Sequence, residues 1–358
     1  MCASPSLSPS SPILAGKTPP RGVAPGSYRE RLLVAVFVLF TSFTFFLIQY
    51  DRMRIQNQGL EDWVRFKLSG SALLTEGDQY RIALPYLVHF LELHAHLRPN
   101  QSLPLIEFLS YAFALMLLYF LFRCSPRVED ATASHRLVLL GLFFAAAQFP
   151  ILWIFPWERP ETLPTTFYLA ALLLLVVRRS RMPFALVCLL TLLLTLVQSL
   201  VRADVPFVVG IAIVLSAAMS IPFPRSRAHI AVLGLLCAVV AGATQLYLQH
   251  VFPLQTAQHR FTIRLGENLD LIHPPLHLPT FLTGLLPLIV SLFLLRRHHL
   301  PLDSSDKLVI LMCLLYLPVF IAIGLVVEIR IFVPFLFLAS PAIAKLWGAF
   351  LLHQDNGT

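Results

Sequence analysis

Long apolar runs punctuated by short charged connections set the pattern of this chain. About ten of them approach the twenty or so mostly apolar residues that a helix needs to cross a bilayer. They fall at 32–49, 103–122, 137–155, 164–177, 183–201, 205–221, 229–248, 280–295, 307–326 and 331–350. The fourth and eighth are short, which suits a tilted, loop-extended or partly re-entrant helix. The pattern predicts an all-α fold, a polytopic bundle of about ten transmembrane helices forming a single transmembrane domain over 31–350.

The connections carry a second pattern. Arg21, Arg29 and Arg31, then Arg123 and Arg127, Arg178, Arg179 and Arg181, Arg225 and Arg227, and Arg296 and Arg297 stand at alternate ends of the runs. Asp51, Glu158 and Glu161, Asp204, Glu267 and Asp270, and Glu328 stand at the others. Positive residues of short loops stay on the cytoplasmic side, so the alternation predicts cytoplasmic termini and an outer face that gathers the carboxylates. Residues 1–30 are rich in Ser and Pro and read as a disordered cytoplasmic tail; residues 351–358 read as a second, short one. Arg29 and Arg31 ahead of the first run raise a signal peptide. Gln49, Tyr50, Asp51 and Arg52 follow it with no small-residue cleavage pattern, which favours an anchor.

Two outer segments are long. The first, 50–102, holds Asp51, Glu61, Asp62, Glu76, Asp78 and Glu92 beside Arg52, Arg54, Arg65, Lys67, Arg81 and Arg98. Its second half spaces Ile82, Leu84, Leu87, Phe90, Leu91 and Leu93 among polar residues, the pattern of an amphipathic helix lying on the bilayer. The stretch around Leu60, Trp63 and Val64 reads as a shorter helix of the same kind. The second segment, 249–279, carries His250, His259, Arg260, Arg264, Glu267, Asp270, His273 and His277, broken by Pro274 and Pro275.

Composition narrows the function classes. The 358-residue chain is 57% hydrophobic and 13% charged, against roughly a quarter charged in soluble domains. Its net charge of +8 sits in inner loops, where it sets orientation and meets anionic lipid rather than nucleic acid. The 5 cysteines form neither a C-x-x-C nor an outer-loop pair, so no disulfide framework or zinc site is expected. There is no glycine-rich phosphate loop, and the histidine spacing matches no metal-ligand pattern.

Several outer groups suit chemistry. Asp51 is either a wetted carboxylate paired with Arg52 or Arg54, or a half-buried base or metal ligand. Glu61 and Asp62 are adjacent, and neighbours on a helix point about 100° apart, so both would face one cation only across a turn. Glu158, Arg159 and Glu161 lie in a turn stiffened by Pro156 and Pro160 and anchored by Trp157, a plausible binding wall as well as an interfacial loop. Arg202 and Asp204 stand between two apolar runs with almost no loop, where a charge needs a partner or a wet cavity. Glu328 and Arg330 repeat that arrangement. Guanidinium groups suit phosphate, which they grip bidentately. Arg260 and Arg264, four residues apart, would share a face if helical and grip a diphosphate.

An inner N-terminus, a first span ending in Tyr50 and Asp51, a long first outer loop running on through Asp78 and Arg81, and many further spans with charged outer ends together resemble the GT-C class of membrane glycosyltransferases. The resemblance is architectural, covers about residues 30–350, and its motifs are short. It implies a polyprenyl-phosphate-linked sugar as donor, membrane lipid as partner, and a place in a bacterial cytoplasmic membrane. It implies Asp51 as base, Glu158 or Glu161 as a second acidic group, and Arg330 as phosphate ligand. Glu61, Asp62, Asp78, Arg81, Arg159, Arg202, Asp204, Arg260, Arg264 and Glu328 are then substrate-binding candidates, and a divalent cation held by outer carboxylates is the one cofactor it admits. A late outer loop bearing Arg260 and Arg264 also resembles envelope polysaccharide polymerases and ligases. A transporter and a membrane protein without catalysis complete the alternatives.

Overall fold

The computed structural model describes residues 28–55, 57–69, 81–123, 131–148, 160–178, 182–251, 277–298, 302–323 and 331–355. Among them run 12 helices and no strand: α1 (Tyr28–Ile55), α2 (Asn57–Leu68), α3 (Ala83–Ala95), α4 (Pro99–Arg123), α5 (Ala131–Ala147), α6 (Thr162–Val177), α7 (Phe184–Arg202), α8 (Asp204–Ala218), α9 (Arg227–Val251), α10 (His277–His298), α11 (Ser304–Ile323) and α12 (Val333–Asp355). Every apolar window holds one helix. The eighth is longer than its apolar run, 22 residues, and α12 continues as helix to Asp355, into the stretch expected as a tail. Residues 1–27 and most of 249–279 lie outside the described residues.

Five helices are long and apolar enough to cross a membrane: α1, α4, α7, α9 and α11. Four shorter apolar helices accompany them, in α5, α6, α8 and α12. The protein is thus an all-α, multi-pass membrane protein. On α1, Val34, Val38, Ser42, Phe45, Gln49 and Met53 turn inward while Leu32, Val36, Leu39, Phe40, Phe43 and Leu47 stay exposed. In water that outer stripe would be a liability; against acyl chains it costs nothing. α12 behaves oppositely. Phe335, Leu336, Phe337, Leu338 and Ala339 are consecutive and all buried, which requires neighbours on every side. Those neighbours are α4, α5, α6, α10 and α11, so α12 and α6 form the middle of the bundle.

The interface helices follow from their patterning. In α3, Leu84 and Val88 pack inward, and Tyr86, Leu87, Phe90 and Leu93 are exposed. α2 sets Leu60 and Val64 against Met53, Val88 and Leu103, so α2 and α3 rest as a small cap on α4.

Contacts between helix ends sort into two sets. At one end of the bundle Glu30 of α1 pairs with Arg123 of α4, Phe184 of α7 stacks on His229 of α9, and Ser304 of α11 donates to the Pro222 carbonyl beyond α8. Asp303 and Asp306 there hold Lys345 Nζ at 3.0 Å each. The opposite end gathers the ends of α7 and the starts of α3, α6 and α8.

The tightest helix pair is α8 with α9. A Cβ on Gly210 would lie 2.6 Å from both the Ala238 nitrogen and the Gly234 oxygen. One on Gly234 would lie 2.7 Å from the Gly210 oxygen. Without side chains the backbones approach closely enough for dispersion to hold them, the usual substitute for the hydrophobic effect inside a bilayer. Gly210→Ala should therefore lower stability by about 1–3 kcal/mol, the usual cost of overpacking, whereas Gly242→Ala, whose Cβ would meet only Phe207 at 4.0 Å, should leave it unchanged. Thermal unfolding in detergent measures both.

Candidate functional site

α7 and α8 form a hairpin whose turn is the single residue Ala203. The charges on either side of it suit the backbone: Arg202 lies in the last turn of α7 and Asp204 in the first turn of α8, each against the helix-dipole end of opposite sign. Arg202 donates from Nε to Asp204 Oδ1 at 3.2 Å and from Nη2 to Asp204 Oδ2 at 2.5 Å, a two-pronged pair. Tyr316 of α11 completes it. Its hydroxyl accepts from Arg202 Nη2 at 2.5 Å and donates to Asp204 Oδ2 at 2.8 Å. The Tyr316 ring is itself fixed by stacking on Phe335 at 4.1 Å and on Phe332 at 6.2 Å.

A second ion pair stands beside the first. Arg81, just ahead of α3, meets Glu161, just ahead of α6, at 3.6 Å. Electrostatic coupling links the two pairs, Glu161 with Arg202 and Arg81 with Asp204. Beneath them Gln198 of α7 donates to Thr165 of α6 at 2.8 Å, and a buried polar seam continues through Ser199, Thr195 and Tyr168. Hydrogen bonds of this kind hold α6 to α7 where water is absent. The result is a cluster of two guanidiniums, two carboxylates and a phenol brought together from five segments of chain. Arg202 is only 6% exposed and Glu161 only 7%.

Of the residues singled out from the sequence, Arg81, Glu161, Arg202 and Asp204 converge here. Asp51 does not. It lies on α1, which packs on α2, α4 and α5, and its side chain is 67% exposed beside Arg54 at 3.3 Å. Glu61 and Asp62 sit on an unbroken α2 and diverge, Glu61 into a pocket and Asp62 outward. That pocket, about 410 Å³ between α2, α3 and the start of α4, is lined by Glu61, Arg65, Ser69, His89 and Glu92 over Val64 and Leu68. Asp78, Glu158, Arg159, Arg260, Arg264, Glu328 and Arg330 lie outside the described residues.

Tyr316 carried no sequence signal, since one tyrosine in an apolar helix looks like any interface aromatic. The Asp303, Asp306 and Lys345 cluster does leave a trace in the sequence, a lysine set among the apolar residues of α12. As for a divalent cation, Glu161 and Asp204 each already face a guanidinium. No group of 3 or more His, Cys, Asp or Glu among the described residues is arranged to hold a metal. The chain matches no family model, and comparison with curated proteins and with solved structures returns no match.

Removing Asp204 strands the buried guanidinium of Arg202. Asp204→Ala should destabilise by about 3–5 kcal/mol, and an apolar double replacement, Arg202→Met with Asp204→Leu, should recover most of it. Detergent melting curves of the two variants check this.

Proposed function

We propose that the protein is a GT-C-like glycosyltransferase that moves a sugar from a polyprenyl-phosphate donor at the Arg81–Glu161–Arg202–Asp204 end of the bundle. The observation that carries this reading is the convergence there of two guanidiniums and two carboxylates at the rim of an apolar bundle. A lipid-linked phosphate has its charge at that depth and its tail in hydrocarbon. Arg81, with its side chain 27% exposed, is the accessible cation; Arg202 is the fixed one.

The residues then divide the work. The donor phosphate lies against Arg81 and Arg202. Glu161, rather than the outward-facing Asp51, takes the proton of the acceptor hydroxyl as its oxygen attacks the anomeric carbon. The bond from that carbon to the phosphate oxygen breaks, and the polyprenyl phosphate leaves with its charge held by the guanidiniums. Positioning and charge stabilisation supply the acceleration, because phosphate is a good leaving group. Asp204 and Tyr316 touch no reacting atom; they orient Arg202.

In this reading the five long and four shorter apolar helices all cross and α10 crosses with them, with the Arg-rich connections and both termini cytoplasmic and the cluster on the outer face of a bacterial cytoplasmic membrane. A transporter would need polar groups joining the two ends. On α11 the buried residues between Asp306 and Tyr316 are Leu308, Val309, Met312 and Cys313, which favours a one-sided site.

Three experiments test it. Mass spectrometry of protein purified in mild detergent should find bound polyprenyl phosphate or its sugar, lost in Arg81→Gln. Glu161→Gln should keep the lipid and lose transfer by about a hundredfold or more. Bulk phospholipid alone, unchanged by Arg81→Gln, refutes the donor. For topology, a cysteine at Glu92 should react with an impermeant maleimide in intact cells, and one at Arg227 only after permeabilisation.

A further inference from the structure

The two ion pairs of the cluster differ in kind. Arg202 is locked: Nε and Nη2 are both taken by Asp204 and Tyr316, at distances down to 2.5 Å. Its Nη1 has no hydrogen-bond partner among the described residues. The Arg81–Glu161 pair is loose. Its 3.6 Å separation is well beyond the roughly 2.8 Å of a charge-assisted hydrogen bond. Arg81 also stands on the cap formed by α2 and α3, which is seated mainly on α4, while Glu161 belongs to the helix at the centre of the bundle. Among the described residues the cluster sets two guanidiniums against two carboxylates.

We propose that the Arg81–Glu161 contact is a latch that the donor's phosphate opens. The inference rests on the reading above and adds an order of events. An arriving phosphodiester brings a charge of the same sign as Glu161 and competes with it for Arg81. The phosphate oxygens take the Arg81 fork and the Nη1 edge of Arg202, and Glu161 is set free. Glu161 therefore meets the acceptor unpaired from Arg81 only when a donor is in place. Before that it is paired with Arg81, and water arriving ahead of the acceptor meets an occupied carboxylate. The two carboxylates thereby differ in role: Asp204 never leaves Arg202, and Glu161 must leave Arg81.

Competition makes a prediction that ordinary binding does not. Removing the charge of Glu161 takes away the phosphate's rival, so Glu161→Gln should tighten binding of farnesyl phosphate by about fivefold, the scale of a partly exposed ion pair. Arg81→Gln should weaken it tenfold or more. Titrations of the full-length protein in detergent, followed by native mass spectrometry, read both. Glu161→Asp, whose shorter arm also loosens the latch, should tighten binding in the same direction and serves if Glu161→Gln accumulates poorly. Inorganic phosphate at matched concentration should not compete; if it displaces farnesyl phosphate, the site takes free phosphate and the lipid-linked latch is overturned. Wild-type binding with no gain, or a loss, in both Glu161 variants overturns the latch and leaves the phosphate site standing. Failure of the wild-type protein to bind farnesyl phosphate at all overturns the phosphate reading itself.

Discussion

A guanidinium cannot sit unpaired at the edge of hydrocarbon. Arg202, 6% exposed at the end of an apolar helix, imposes that demand on everything near it. Asp204 answers it across one residue of turn, and Tyr316 takes a further bond from Nη2, from a helix more than a hundred residues later in the chain. Because the answer needs both prongs and the phenol, it fixes how the α7–α8 hairpin meets α11. The stacked rings of Phe332 and Phe335 then carry the constraint into α12. Desolvation makes each charge costly, and partner geometry makes the set worthwhile.

The other end of the bundle solves the same problem differently. Lys345 is a compact cation gripped by Asp303 and Asp306 at 3.0 Å each, and Trp347 Nε1 donates to Ser291 at 3.1 Å one half-turn on. This ties α10, α11 and α12 together. With Glu30 bound to Arg123, it leaves α1, α4, α11 and α12 tethered by charge. One end is thus built of closed clasps. The other combines a closed clasp with a wider one, the 3.6 Å contact of Arg81 with Glu161.

Much of the fold was legible because the bilayer is a strict solvent. Runs of apolar residues must become helices there, and α1 through α12 fall on the windows and the two amphipathic stretches that the pattern marked. Arg202 and Asp204 were legible as charges with no loop to hold them. Their neighbours were not. Arg81 and Glu161 are eighty residues apart, and nothing in either segment announces the other. Asp51 drew attention by its place at a span end, but α1 continues to Ile55 and turns that carboxylate outward beside Arg54. Position along a helix says how deep a residue lies. Which neighbour it faces depends on helix rotation and packing, which apolar windows do not encode.

The one-residue turn at Ala203 has a consequence for how the chain is made. A helix emerging with Arg202 at its tip would present the membrane with a bare charge until a partner arrived. Here the partner is two residues behind, and the helix that bears it turns straight back, so α7 and α8 can enter the lipid together as an electrically neutral hairpin. Gly210 then meets Gly234 of α9 as the next helix arrives. Three helices can assemble during synthesis before α11 exists, and Tyr316 joins the charge pair only once α11 has followed.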